Sequence, residues 1–370
     1  MQRSPARSSR RGPLLLGAAA AGLLWGGSAT ALPVLGSAAP QVSAGGAQPV
    51  ISSSGSTVRV DLNAARTILD WSSFNLGPGE RADFLFDQRN WIAVNRVTGS
   101  QISINGQVFA GQAANLNSPA PSGPGGNVWF YSPQGVAFGP NARVDVGGLV
   151  ATSSAPNATA FLNAGNVNIP FAGSGAGGPV TVASGAQLNA TAAVALVAPR
   201  VSTAAGSTVT VSDYGAALYG GADSFEIQFF PTFNNDLTLF TFIVPNRAAG
   251  TPNPLALNIA GQTTSGTIYL AAYSRAAVAS ELINAPGLLT ARSSFREYGQ
   301  VTITTGRNII LGQPGENGQT QHQVTGVTTG NVRVGEINAD GNVNVILTPA
   351  DVGASGVLLG NLDAAKIRSG

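Results

Sequence analysis

Residues 126–153 constrain the fold more than any other stretch. They read Gly-Asn-Val-Trp-Phe-Tyr-Ser-Pro-Gln-Gly-Val-Ala-Phe-Gly-Pro-Asn-Ala-Arg-Val-Asp-Val-Gly-Gly-Leu-Val-Ala-Thr-Ser. Val128–Tyr131 is aromatic and β-branched, which suits a pleated, half-buried strand. Ser132-Pro133-Gln134-Gly135 stops it, because proline presets a turn φ and glycine accepts a positive one. Val136 and Phe138 restart the alternation, Gly139-Pro140-Asn141 turns again, and Val144-Asp145-Val146 alternates up to Gly147-Gly148. Three strands this close together leave no room for a helix, so a chain built this way winds.

The same grammar continues on both sides. Thr57–Leu62 alternates as a strand does, and Thr67–Leu76 has the dense apolar content of a strand buried on both faces. Gly77-Pro78-Gly79-Glu80 is a turn, Ala82–Phe86 a further strand, and the run from Trp91 to Gly99 follows it. Ile102–Phe109 alternates around an Asn105-Gly106 turn signal. Residues 111–125, rich in Asn, Ser, Pro and Gly, read as a surface excursion between strands. Beyond Ser153, Val167-Asn-Ile, Val180-Thr-Val, Val194-Ala-Leu-Val and Val209-Thr-Val recur every 13 to 15 residues. Thr267–Leu270, Val301–Ile303, Asn308–Leu311, Val332–Val334 and Val343–Leu347 extend the series. Short strands parted by small-residue turns are what a β-solenoid demands. Residues 223–257, crowded with Phe and Pro, break the pattern and read as an inserted loop or hairpin on the solenoid's flank.

Composition agrees. Only 10% of residues are charged, 44% are hydrophobic and glycine numbers 48; this is neither a salt-bridged helical protein nor a disordered one. Four of the 19 basic residues, Arg3, Arg7, Arg10 and Arg11, precede an apolar core, Leu14–Trp25, and the small-x-small pattern Ala29-Thr30-Ala31. This is the form of a cleaved secretion signal over residues 1–31, too short for the roughly 20 residues a membrane span takes. Cleavage after Ala31 leaves 15 basic against 17 acidic residues, a net charge of −2. The basic stripe that nucleic acid requires is absent. With no cysteine, disulfide scaffolds, thiolate metal sites and cysteine nucleophiles are excluded together.

Four blocks, in order, resemble the N-terminal secretion domain of the filamentous haemagglutinin family, the exported partner in bacterial two-partner secretion. They are Ser73-Phe-Asn-Leu-Gly-Pro-Gly-Glu, Ala93-Val-Asn-Arg-Val-Thr-Gly-Ser, the stretch from Gly126 to Gly139, and Arg143-Val-Asp-Val-Gly-Gly-Leu-Val-Ala-Thr-Ser. The resemblance marks Phe74, Asn75, Asn95, Arg96, Gly99, Gly147 and Gly148 as signature positions. It marks Ser132, Pro133, Gln134, Gly135, Val136, Phe138 and Gly139 as a turn motif read by a transporter. Where the family has Asn-Pro-Asn-Gly-Ile, this chain has Ser132-Pro133-Gln134-Gly135-Val136. The turn-forming Pro and Gly are kept and both amides are lost; Ser accepts a local hydrogen bond, whereas Gln lacks the short reach of Asn.

The resemblance implies an all-β, right-handed parallel β-helix with an N-terminal cap and flanking hairpin or loop insertions. Residues 32–153 would be the secretion domain and 154–370 a β-helical passenger continuation. The implied partner is an outer-membrane β-barrel transporter with periplasmic polypeptide-transport domains. The implied location is the outside of a Gram-negative cell, secreted or surface-bound, in an adhesin- or haemagglutinin-like role without catalysis. Host-cell or surface glycans are a further partner left open, as is whether the chain is a short member or the start of a longer one.

No site for chemistry assembles in the sequence. His322, the only histidine, sits in polar Thr-Gln-His-Gln with no triad or metal partners around it. Asp340 in Asn-Ala-Asp-Gly-Asn lacks the acids of a calcium loop and suits a turn between strands. Neither a cofactor nor a metal is expected. The competing reading is a solenoid hydrolase or lyase acting on polysaccharide, its carboxylates drawn from Asp223, Glu226 and Asp236 near aromatic residues. Trp71, Phe74, Phe84, Phe86, Trp91, Trp129 and Phe130 are expected in the core or the end cap, which a solenoid needs to keep neighbours from stacking on it.

Overall fold

A computed structural model describes residues 32–112, 125–173 and 176–230 continuously, and after them the strands between Leu239 and Ser369. A cap of β1 (Val34–Leu35), β2 (Gln41–Val42) and β3 (Val50–Ser54) precedes the first coil, β4 (Thr57–Leu62), β5 (Arg66–Ser73) and β6 (Asn75–Leu76). The second coil is β7 (Arg81–Phe86), β8 (Ile92–Arg96) and β9 (Ile102–Ile104). The third is β10 (Gln107–Gln112), β11 (Asn127–Tyr131) and β12 (Val136–Phe138).

From there single long strands turn the first corner of a coil. β13 (Arg143–Thr152) does so, and the chain then leaves through β14 (Ala155–Pro156), helix α1 (Ala158–Leu162) and β15 (Asn168–Ala172) before rejoining at β16 (Val180–Val182). β17 (Gln187–Ala198) and β18 (Val201–Thr203) complete a coil without an excursion. β19 (Thr208–Val211) and β20 (Ala216–Gly221) lead to a second excursion, β21 (Ser224–Phe230) and β22 (Leu239–Val244), which returns at β23 (Leu257–Ile259). β24 (Gln262–Ser265), β25 (Thr267–Ala272), β26 (Glu281–Ala291) and β27 (Gln300–Thr304) follow. A third excursion, β28 (Ile309–Pro314) and β29 (Thr320–Val324), precedes β30 (Asn331–Ala339), β31 (Val343–Ile346) and β32 (Leu362–Ser369).

Every coil-to-coil pairing is parallel, so the strands stack into three faces. Face A runs β4, β7, β10 and the first part of β13, then the first part of β17, β19 and β24. Face B runs β5, β8, β11, the second parts of β13 and β17, β20, β25, β27 and β31. Face C runs β6, β9, β12, β16, β18 and β23. The tightest coil advances 21 residues, as in Gln187↔Thr208. The expected parallel β-helix is present. Asn105-Gly106 is accordingly a corner between faces C and A and not a hairpin, since the strands it joins pair with other coils. Gly147-Gly148 does not end a strand either; β13 runs through it with a register shift.

The cap deals with the open edge of the first coil. β3 pairs antiparallel with β4, and both β1 and β2 pair antiparallel with β5. An uncovered edge strand would template association with another chain.

Face B differs from the other two because it is buried on both sides. Its inward column is Leu69, Asn95, Phe130, Ala151, Leu196, Tyr219 and Leu270, and its outward column Ile68, Val94, Trp129, Val150, Ala195, Leu218 and Tyr269. The outward column is covered by a six-stranded antiparallel sheet made of β14, β15, β21, β22, β28 and β29. Double burial is why these strands read as unbroken apolar runs instead of alternating ones. It also corrects two assignments: Val167–Ile169, and Ile309–Leu311 of the run from Asn308, belong to this flanking sheet and not to the coils. The run at 223–257 does contain the expected hairpin, β21 with β22.

Candidate functional site

All three excursions depart where face B ends and rejoin where face C begins. The turn Ser132-Pro133-Gln134-Gly135 occupies that same corner in the third coil, one coil before the first departure. Ser132 is fully buried. Its Oγ donates to the Ser100 carbonyl at 2.6 Å and accepts from the Gln134 amide at 3.1 Å, while the Gly135 amide donates to the Ser132 carbonyl at 2.8 Å. Serine thus makes the local bond expected of it, and the turn closes without either asparagine.

Gly135 has φ +94°, a conformation L side chains avoid. A Cβ there would come within 2.2 Å of the Pro179 carbonyl oxygen. That contact belongs to the returning end of the first excursion. The Gly178 amide donates to the Pro133 carbonyl at 2.8 Å, and the Val136 amide to the Pro179 carbonyl at 3.1 Å. The motif is therefore a seat on which the excursion lands. Val136 and Phe138 point into the core, Gly139 is buried and donates to the Ile104 carbonyl at 2.7 Å, and Pro133 is half-buried. Gln134 alone of the seven is exposed.

The signature positions divide between core and surface. Phe74 lies at the centre of an aromatic cluster, 5.3 Å from Trp71, 5.1 Å from Phe130 and 6.4 Å from Phe84, ring centre to ring centre. Asn95 is the single amide in the inward column described for face B. Its Oδ1 accepts from Trp71 Nε1 at 3.0 Å and its Nδ2 donates to the Trp129 carbonyl at 3.3 Å, so the buried amide is satisfied on both ends. Gly147 and Gly148 are required by close approach: added Cβ atoms would lie 1.9 Å from the Gly125 oxygen and 2.1 Å from Asn127 Oδ1. Asn75 pairs with Ser103 in the β6–β9 ladder, and Gly99 sits in an exposed bend.

Arg96 stands between Asp70 and Tyr131 in the face B register and forms an ion pair with Asp70, with a second bond from Nη2 to Oδ2 at 2.7 Å. That hydrogen bond raises the guanidinium pKa, and burial raises that of the Tyr131 phenol. With Gly36, Ser37, Ala38, Ser72 and Thr98 the pair lines a hollow of about 350 Å³ against the cap.

Of the three carboxylates named for a polysaccharide-acting site, two lie among the described residues. Asp223 is buried, whereas Glu226 lies on the outward side of β21 and accepts from Gln228 Nε2 at 3.2 Å. Asp236, Asp340 and the cleavage residues Ala29 and Ala31 lie outside the described residues, as do most of 111–125 and the side chain of His322. Among the described residues no three His, Cys, Asp or Glu side chains group as metal ligands. Trp71, Phe74, Phe84, Phe86, Phe130 and the half-buried Trp91 pack in or against the coil interior. Trp129 lies instead under the flanking sheet, among Phe161, Phe171 and Phe229. Two further residues, Arg66 and Trp129 in its outward role, were invisible to motif reading because their partners lie elsewhere in the chain.

The family model of the TPS secretion domain matches residues 37–305. The chain belongs to that family. The matched residues continue past Ser153, as does the coil stack. The secretion domain of HMW1 from Haemophilus influenzae is similar in fold, with a TM-score of 0.52 over 90% of this chain and 83% of that one at 14% identity. The heme/hemopexin-binding protein of Haemophilus influenzae is 32% identical over 94 residues, which is 25% of this chain and 9% of that protein. The TPS secretion domain marks the chain as the exported member of a Gram-negative two-partner system, and so implies a cognate outer-membrane transporter.

Proposed function

We propose that this TPS chain is recognised through its N-terminal coils by an outer-membrane β-barrel transporter carrying periplasmic polypeptide-transport domains, and that outside the cell it serves as a non-enzymatic, adhesin-like protein. The observation that carries the reading is the family match over residues 37–305. The signature stretches in the first coils add to it: Phe74 and Asn95 lie in the cap-proximal core, and Ser132–Gly139 form the corner. Gln134, the exposed member of that corner, is the side chain available to a transporter there. The heme and hemopexin binding of the relative stays with that protein, since the match covers 9% of it.

The test is export of the full chain from a Gram-negative host expressing a two-partner transporter, compared with the chain lacking residues 41–153 but keeping its leader. Release that depends on both the transporter and residues 41–153 supports the reading. Equal release without either sinks it.

A further inference from the structure

Arg66, on β5 of the first coil, is 7% exposed. Its partners are backbone carbonyls about a hundred residues away. Nη1 donates to Phe161 O at 2.8 Å and to Asn163 O at 2.9 Å, and Nη2 to Asn166 O at 2.6 Å. The guanidinium carbon also lies 5.8 Å from the Phe161 ring centre and 5.6 Å from that of Phe229, on β21. Among the described residues no carboxylate pairs with it. One side chain of the first coil therefore joins the first and second excursions.

The Phe161 carbonyl is one that the short helix leaves open at its end, and those of Asn163 and Asn166 belong to the cap and the turn that follow. α1 has five residues, capped at its start by Asn157 Oδ1, which accepts from the Ala160 amide at 2.9 Å. A helix of one turn does not persist alone in water; it holds its shape because Phe161 is buried against face B and Arg66 gathers the Phe161 carbonyl with those of the turn after it. Burial lowers the Arg66 pKa to about 10, which registers the opposing desolvation. The hydrogen bonds offset this cost, since water would solvate the guanidinium once released.

We propose that Arg66 is a latch that sets whether residues 157–166 of the first excursion are docked on face B or swung open, while β15 stays in its ladder with β21. The coils do not depend on it. The inward side chains of β5, Leu69 and Trp71, pack in the interior, and the ladder of β5 with β8 is backbone-made. Opening lifts Phe161 off Trp129 and off β5, baring the apolar edge of face B that closing seals.

The test is amide hydrogen exchange on the full chain carrying Arg66→Met, which keeps the apolar stem but removes the guanidinium donor from all three carbonyls, leaving Asn163 O only its bond from the Asn166 amide. Exchange at Asn157, Phe161, Asn163 and Asn166 is expected to rise at least tenfold, with β11, β13 and β17 unchanged. Arg66→Lys, which keeps the charge but loses the fork, gives an intermediate rise and serves if the Met variant does not fold. Wild-type exchange in 157–166 in either variant overturns the proposal. So does acceleration that spreads equally through the coils, because Arg66 would then be an ordinary part of a single cooperative unit.

Discussion

Gly135→Ala and Gly79→Ala differ in one respect that makes them a matched pair. Both glycines have positive φ, +94° and +83°. A Cβ at Gly79 meets nothing within 4 Å, whereas one at Gly135 falls 2.2 Å from Pro179 O and 2.9 Å from the Gly178 carbonyl carbon. Gly79→Ala should therefore show only the backbone penalty, about 1–2 kcal/mol. Gly135→Ala adds displacement of Gly178-Pro179 and loss of two hydrogen bonds worth about 1 kcal/mol each, so about 3–5 kcal/mol in all. The measurement is the urea midpoint of the purified protein by circular dichroism, with the slope checked for constancy so that midpoints translate into stability. Export level in the transporter-bearing host is recorded in parallel. If Gly135→Ala is no more destabilised than Gly79→Ala, the corner is not a seat for the returning excursion, and its conformation alone accounts for the glycine.

Other consequences are measurable in the same way. Asn95→Leu strands the Trp71 indole N–H in the interior and should cost about 1–3 kcal/mol; Trp71→Phe combined with Asn95→Leu should recover part of that loss, and strict additivity of the two would contradict the pairing. Trp129→Ala removes the ring between Phe161, Phe171 and Phe229 and should cost about 3–5 kcal/mol, with protease cleavage appearing first in residues 154–173. Burial raises the Tyr219 phenol above its ordinary 10, against a weaker opposing effect of its bond to Thr263. The unfolded chain then ionises first, so the contribution is intact below pH 10 and is lost as pH climbs beyond it. Thermal melts above pH 10 should fall more steeply in the wild type than in Tyr219→Phe; parallel curves would refute this.

The winding was legible because its cause is local. Pro133 with Gly135, and Gly77-Pro78-Gly79, announce turns on their own, and the runs between them are too short for hairpins with long arms. Face assignment was not legible, because Val167-Asn-Ile and Val180-Thr-Val look alike as sequences. The first pairs antiparallel in the flanking sheet and the second parallel in the coils, a difference set by where each excursion rejoins the stack. The same limit hid what Asn95, marked by the resemblance, does: its role emerges only when Leu69, Phe130 and Ala151 are brought beside it in register. Arg66 reads as an ordinary polar start to a strand, since nothing nearby in sequence marks Phe161–Asn166 as its acceptors. The resemblance marks the turn motif as one read by a transporter; its burial shows that most of its residues serve the corner's shape.

Departure of all three excursions from one corner has an engineering consequence. Each coil passes that corner whether or not it carries extra chain, and β17 to β18 cross it through Pro199-Arg200 alone. The interior pitch does not register what is attached there, so length can be added without re-indexing the strands above and below. A peptide grafted at Pro199-Arg200 would emerge beside the flanking sheet, between two natural departures. The corner is a display port, and the stack behind it a ruler that fixes where each displayed segment stands.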